Sequence, residues 1–385
     1  MVVVRCILMP SLAHRFSTPT TSATSTVDLT VREIEDAGLL EILQTPGAAV
    51  GNWKILDVLL DPTASTFTFA APLGHAREVK TAISGLFGRF VARAYATKFL
   101  GLTHFTHVRK PPMTLAGHLS GALHRVTGAN GDMPDWVVWG AARGMAIVEA
   151  KGCHDAKGPE AALARAYIQA QRAEIRAGAA LAPFKRYAIA TRWGFSTPTA
   201  SQPMLWVHDP DQEGAITPEE IEALAVGINR WHIATLLDAL GQNHLAKPIH
   251  SLIRERFENR RAEAAEAARG ALDRAEVCRV DRSQGAPDDE VIGGFVTRGG
   301  PLGETALSQA DQEALARLSL KPTFVGIERS AIGNAIAGRL PKSRNPADGQ
   351  TATSVALRVG EDGAGSWVVR LGSDEARVSP VQRII

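Results

Sequence analysis

The sequence predicts an α/β protein: a core of helices and strands over about residues 76–215, a helical segment over 216–282, and a smaller α+β domain over 283–385. Three observations carry that expectation. Residues 78–100 keep Val79, Ile83, Leu86, Phe87, Phe90, Val91, Ala94, Tyr95 and Phe99 at helical spacing, and Gly101 follows as a C-cap would. Residues 133–152 hold two apolar runs, 136–139 and 145–148, around Gly-Ala-Ala-Arg-Gly, a loop of hairpin length. Further on, residues 185–193 and 203–208 read as strands, which completes the order helix, strand, hairpin, helix, strand, strand.

A chain of 385 residues that is 45% apolar can bury a large core in two or three domains. No apolar run approaches the roughly 20 residues a membrane helix needs, so no membrane partner is expected. Cys6, Cys153 and Cys278 are far apart and odd in number, which gives neither a disulfide framework nor a CxxC metal site and fits a cytoplasmic protein. Net charge is only +2, but residues 76–215 carry 17 basic against 10 acidic residues, while 28–75 carry 2 against 7. The positive excess lies where a polyanionic substrate would need it.

In chain order, the Ser/Thr-rich residues 1–27 lack an acid and read as a flexible tail. Residues 28–75 form an acidic α/β extension: apolar spacing from Val31 to Leu43 suggests helix, and 53–60 and 65–70 follow, the latter with strand-like alternation. After the helix over 78–100, residues 102–108 read as a strand. Residues 109–132 lead to the hairpin through a short helix at 115–124, where His118 and His124 are six apart and off one face.

Folded about Ala142, the hairpin pairs Trp139 with Met145, Val137 with Ile147 and Asp135 with Glu149. Glu149 and Lys151 then project from one face and Ala150 from the other. Two opposed carboxylates repel unless something neutralises them. A divalent cation, Mg²⁺ or Mn²⁺, is the natural partner, because Mg²⁺ is commonly held by one or two carboxylates plus phosphate and water. Lys151 would sit beside it. Cys153, His154 and Asp155 are consecutive and cannot face a common centre as a catalytic triad.

Pro134-Asp135, thirteen residues, then Glu149-Ala150-Lys151 resembles the signature of the PD-(D/E)xK, restriction endonuclease-like, nuclease superfamily. The resemblance covers about 140 residues. It implies a restriction endonuclease-like core with a mixed sheet flanked by helices, Asp135 and Glu149 as metal ligands, and Lys151 as the catalytic lysine. Many members carry a further Glu on the first helix, where Arg89 stands in this chain. Glu78, eleven residues earlier, is the only nearby acid that could be a third ligand, and Arg89 becomes a candidate substrate contact. The RecB-like branch also has a Gln facing the site from the next helix. On an Ala-rich helix over 160–177, Gln171 holds roughly that place.

Beyond the core, Thr217-Pro218-Glu219-Glu220 is a helix start. Helices run to about 240 and from 249 to 277, the second with interleaved Arg and Glu. Residues 284–290 are a linker by composition. After it come a strand at 291–297, a helix at 308–318, and strands at 324–327, 353–359 and 366–371. The expected function is a metal-dependent nuclease acting on DNA, with residues 216–385 available for a protein partner or homo-oligomer. The alternatives are an inactive nuclease-fold module that binds nucleic acid or protein, and a structural protein using the helices of 217–277.

Overall fold

A computed structural model describes residues 11–45, 66–69, 77–153, 158–195, 202–282, 289–297, 300–301, 323–340, 366–370 and 376–380. The chain divides into two compact units. The first comprises residues 1–42, 53–114 and 120–221; the second comprises 43–52, 115–119 and 222–385.

The first unit is α/β, with a seven-stranded mixed sheet flanked by helices. Its strands are β1 (Ser11–Ser17), β2 (Ser22–Asp28), β3 (His104–His107), β4 (Trp136–Gly140), β5 (Gly144–Cys153), β6 (Phe184–Arg192) and β7 (Met204–His208). They lie in the order β2-β1-β7-β6-β5-β4-β3. β6 runs parallel to β5, β1 runs parallel to β7, and the other neighbours are antiparallel. The helices are α1 (Val31–Gln44), α2 (Arg77–Leu100) and α3 (Gly158–Ala170). Residues 11–27, expected in a flexible tail, instead lie in the sheet strands β1 and β2 and the turn between them. Leu12 and Val27 are buried there, and tertiary pairing overrides the polar composition.

The hairpin has the expected register: Trp139 faces Met145 and Val137 faces Ile147, with Gly144 at φ +74° closing the turn. α2 crosses β5 at very close range. A Cβ on Gly152 would fall 1.6 Å from the Ser84 carbonyl oxygen, and one on Gly88 would fall 2.4 Å from the Gly152 nitrogen. That crossing brings Arg89, the next residue of α2, to the end of β4. Lys151, adjacent to Gly152, points the other way, toward α3.

Three helix expectations are corrected, the third in the second unit. The expected helix at 115–124 is a single 3-10 turn, Gly117–Leu119, followed by a strand, Gly121–Arg125. Ser120 at φ +49° interrupts any helix there. The helix expected to reach 177 stops at Ala170, and Ala173–Ala177 is a strand paired with Gly121–Arg125. Its alternating burial (Ala173, Ile175 and Ala177 in; Glu174 and Arg176 partly out) is the period of two that the alanine content obscures.

The helix starts at Thr217 as expected, through a capping box: the Glu220 amide donates to Thr217 Oγ1 at 3.3 Å, and the Thr217 amide to Glu220 Oε2 at 3.0 Å. In the second unit, helices Asn243–Arg254 and Glu258–Arg274 replace the single helix expected over 249–277, with extended backbone at Glu255 between them. An antiparallel sheet orders Ser366–Arg370, Thr323–Glu328, Asp289–Thr297, Cys278–Arg282 and Ala376–Pro380. The helix expected at 308–318, the strand expected at 353–359 and the segment 53–60 lie outside the described residues. No described helix is long and apolar enough to cross a membrane.

Candidate active site

Asp135 and Glu149 meet at the base of the β4–β5 hairpin, Glu149 held by the Asp135 amide and Asp135 by the amide of Ala150, the residue after Glu149. The Asp135 amide donates to Glu149 Oε2 at 2.8 Å, and the Ala150 amide donates to Asp135 Oδ2 at 2.9 Å. Lys151 Nζ donates to Glu149 Oε1 and, at 2.8 Å, to Gln169 Oε1. Gln169 in turn donates to the Met133 carbonyl at 2.7 Å, and Arg172 donates to that of Asp132 at 3.0 Å. The last turn of α3 and the turn after it thus fix both the lysine and the loop that delivers Asp135.

Glu149 is 0% exposed. Burial, then the Asp135 charge, push its carboxyl up to about 8, against the opposing pull of Lys151. Its oxygens accept from the Asp135 amide and from Lys151 Nζ, and these donors oppose the rise without cancelling it. At a pH between the ordinary carboxyl value and about 8, the folded protein keeps a proton that the unfolded chain has released. The contribution of Glu149 to stability is therefore complete below the ordinary value and falls as pH rises through 8. Melting curves of the metal-free protein from pH 5 to 8.5 should show that slope, and Glu149→Gln, which cannot ionise, should flatten it. An unchanged slope in the variant would contradict this.

Arg89 comes from α2 on the other side. Its Nε is 3.6 Å from Asp135 Oδ1, and its Nη2 is 2.6 Å from Glu41 Oε1 and 3.0 Å from His107 Nδ1. Glu41, on α1 and 1% exposed, also faces Arg93 Nη1 at 3.3 Å and His107 Nε2 at 3.2 Å, and accepts from Trp136 Nε1 at 3.0 Å. His107 and the Arg89 and Arg93 guanidinium groups hold its carboxyl far below the usual carboxylate range despite burial. Glu41 therefore anchors the guanidinium that touches Asp135.

The structure brings together Asp135, Glu149, Lys151 and Arg89. It does not bring Glu78 or Gln171 with them. Glu78 is exposed in the first turn of α2, and eleven residues of helical rise separate it from Arg89 by about 16 Å, too far to share a cation with Asp135. Gln171 is exposed beyond the end of α3, and Gln169, one half-turn earlier, occupies the position expected of it. Glu41 had a sequence signal: Ile34, Ala37 and Glu41 are spaced i, i+3, i+7, which puts a charge on the buried stripe of α1.

Among the described residues no group of three or more His, Cys, Asp or Glu side chains is arranged to hold a metal. The two carboxylates that do converge leave lone pairs uncommitted and repel each other, which suits one hard cation completed by phosphate and water oxygens. No protein-family model, curated protein or solved structure matches this chain.

Proposed function

We propose that the protein is a Mg²⁺- or Mn²⁺-dependent nuclease with a restriction endonuclease-like core, acting on DNA. The observation that supports this most is the reciprocal lock of Asp135 and Glu149 beside a lysine that Gln169 fixes in place. A bound divalent cation would supply Lewis-acid polarisation of the scissile phosphate and a lowered pKa for an attacking water. Asp135 and Glu149 would hold it. The Lys151 ammonium would orient that water and offset charge developing on the phosphate oxygens. Arg89, partly exposed beside Asp135, would bind a phosphate oxygen.

One observation favours a second reading, a binding module of the same fold without cleavage. Arg89 already supplies Asp135 with a positive partner, where a third acid would have strengthened metal binding. Calorimetric titration with Mn²⁺ separates the two. The wild type should bind one ion per chain, Asp135→Asn should lose that binding, and Glu78→Gln should keep it. A wild type that binds no ion supports the module.

A further inference from the structure

The β1–β2 turn and α3 border an open cavity of about 670 Å³, walled on the sheet side by Arg15, Ser17, Trp206 and His208 and on the helix side by Leu163 and Tyr167. Strand register ties this wall to the candidate active site. Glu149 lies opposite Ala188, Ala188 opposite His208, and His208 opposite Ser17; Lys151 likewise leads through Ala190 and Trp206 to Arg15. Directly opposed residues share a face, so the wall and the site belong to one side of the sheet. The spacing between strands puts His208 about 10 Å and Ser17 about 14 Å from Glu149 along that row.

The wall is aromatic and carries a cation. Tyr167 meets His208 edge to face with ring centroids 4.8 Å apart, and Ser17 Oγ lies 3.3 Å from His208 Nδ1, which fixes the ring. The Arg15 guanidinium stands 5.1 Å from the centre of the Trp206 ring and 3.6 Å from Glu160, an exposed pair on the rim. Flat rings beside a basic side chain are what single-stranded nucleic acids use for stacking. Bases within a duplex are already stacked on one another.

We propose that this cavity is a subsite for a nucleobase of a single-stranded nucleic acid. It lies along the sheet from the place where, on the nuclease reading above, the scissile phosphate is held. The strand would pass from Lys151 across the end of α3, with one base turned into the cavity against Tyr167.

The test is binding of fluorescent oligothymidylate and oligouridylate of about twelve nucleotides, a length within reach of such grooves, to the full chain in EDTA. Tyr167→Ala should weaken both by roughly 5- to 150-fold, the equivalent of one stacked base. Ala164→Trp, which fills the cavity from the exposed side of α3, should do the same without removing a packed side chain. An abasic oligonucleotide of equal length should bind wild type and both variants alike. Equal affinity of wild type and variants for oligothymidylate, or of wild type for the abasic strand, overturns the subsite. Because no metal is present, a protein that binds bases here but cleaves nothing keeps the subsite and loses the nuclease reading. One that cleaves while Tyr167→Ala binds normally does the reverse.

Discussion

Lys151→Ala should cleave DNA about 10²–10³-fold more slowly than wild type, with metal affinity nearly unchanged. The lysine is a donor rather than a metal ligand, so its charge matters most when negative charge builds on the phosphate. Its position is set in advance by Glu149 and Gln169, and no reorganisation is needed at the moment of reaction. Gln169→Ala frees the ammonium without removing it and should cost less than Lys151→Ala. Rate measurements beside a Mn²⁺ titration check both. Cleavage by Lys151→Ala at the wild-type rate would reduce Lys151 to a strand-end lysine.

Glu41→Ala should lower stability by about 3–5 kcal/mol, the usual consequence of removing one partner from a buried ion pair. Arg93 is 1% exposed and pairs with Glu41, so its guanidinium would remain in the interior without that counter-charge. The indole of Trp136 and the ring of His107 would lose the same acceptor. Arg89 would lose its anchor too, so cleavage should fall even at temperatures where the variant is folded. Urea unfolding of wild type, Glu41→Ala and Glu41→Gln measures this. A loss under about 1 kcal/mol for Glu41→Ala would mean that Glu41 behaves like an exposed pair.

The hairpin was legible in the sequence because its two apolar runs and short Gly-bounded loop leave one register that buries both strands. The pairing of Asp135 with Glu149 followed from that register alone. The supporting residues were not legible in the same way. Glu41 reaches the site across 94 residues of sequence from Asp135, and only packing of α1 and α2 against the sheet brings it there. Gln169 was displaced by a helix end: an alanine-rich stretch carries no strong stop signal, and the strand after it exists because Gly121–Arg125 offers it a partner. The strands of 11–28 fail for a related reason. Ser and Thr describe a tail by composition, yet β1 has β7 on one side and β2 on the other to satisfy its backbone.

The central claim is that Asp135 and Glu149 hold a metal used for phosphodiester cleavage. The most direct measurement incubates the purified full chain with plasmid, linear duplex and single-stranded DNA in Mg²⁺, in Mn²⁺ and in EDTA, beside Asp135→Asn prepared identically. Cleavage that requires the divalent ion and disappears in Asp135→Asn is the predicted result. No cleavage of any substrate by the wild type in either ion, or equal cleavage by Asp135→Asn, would contradict it.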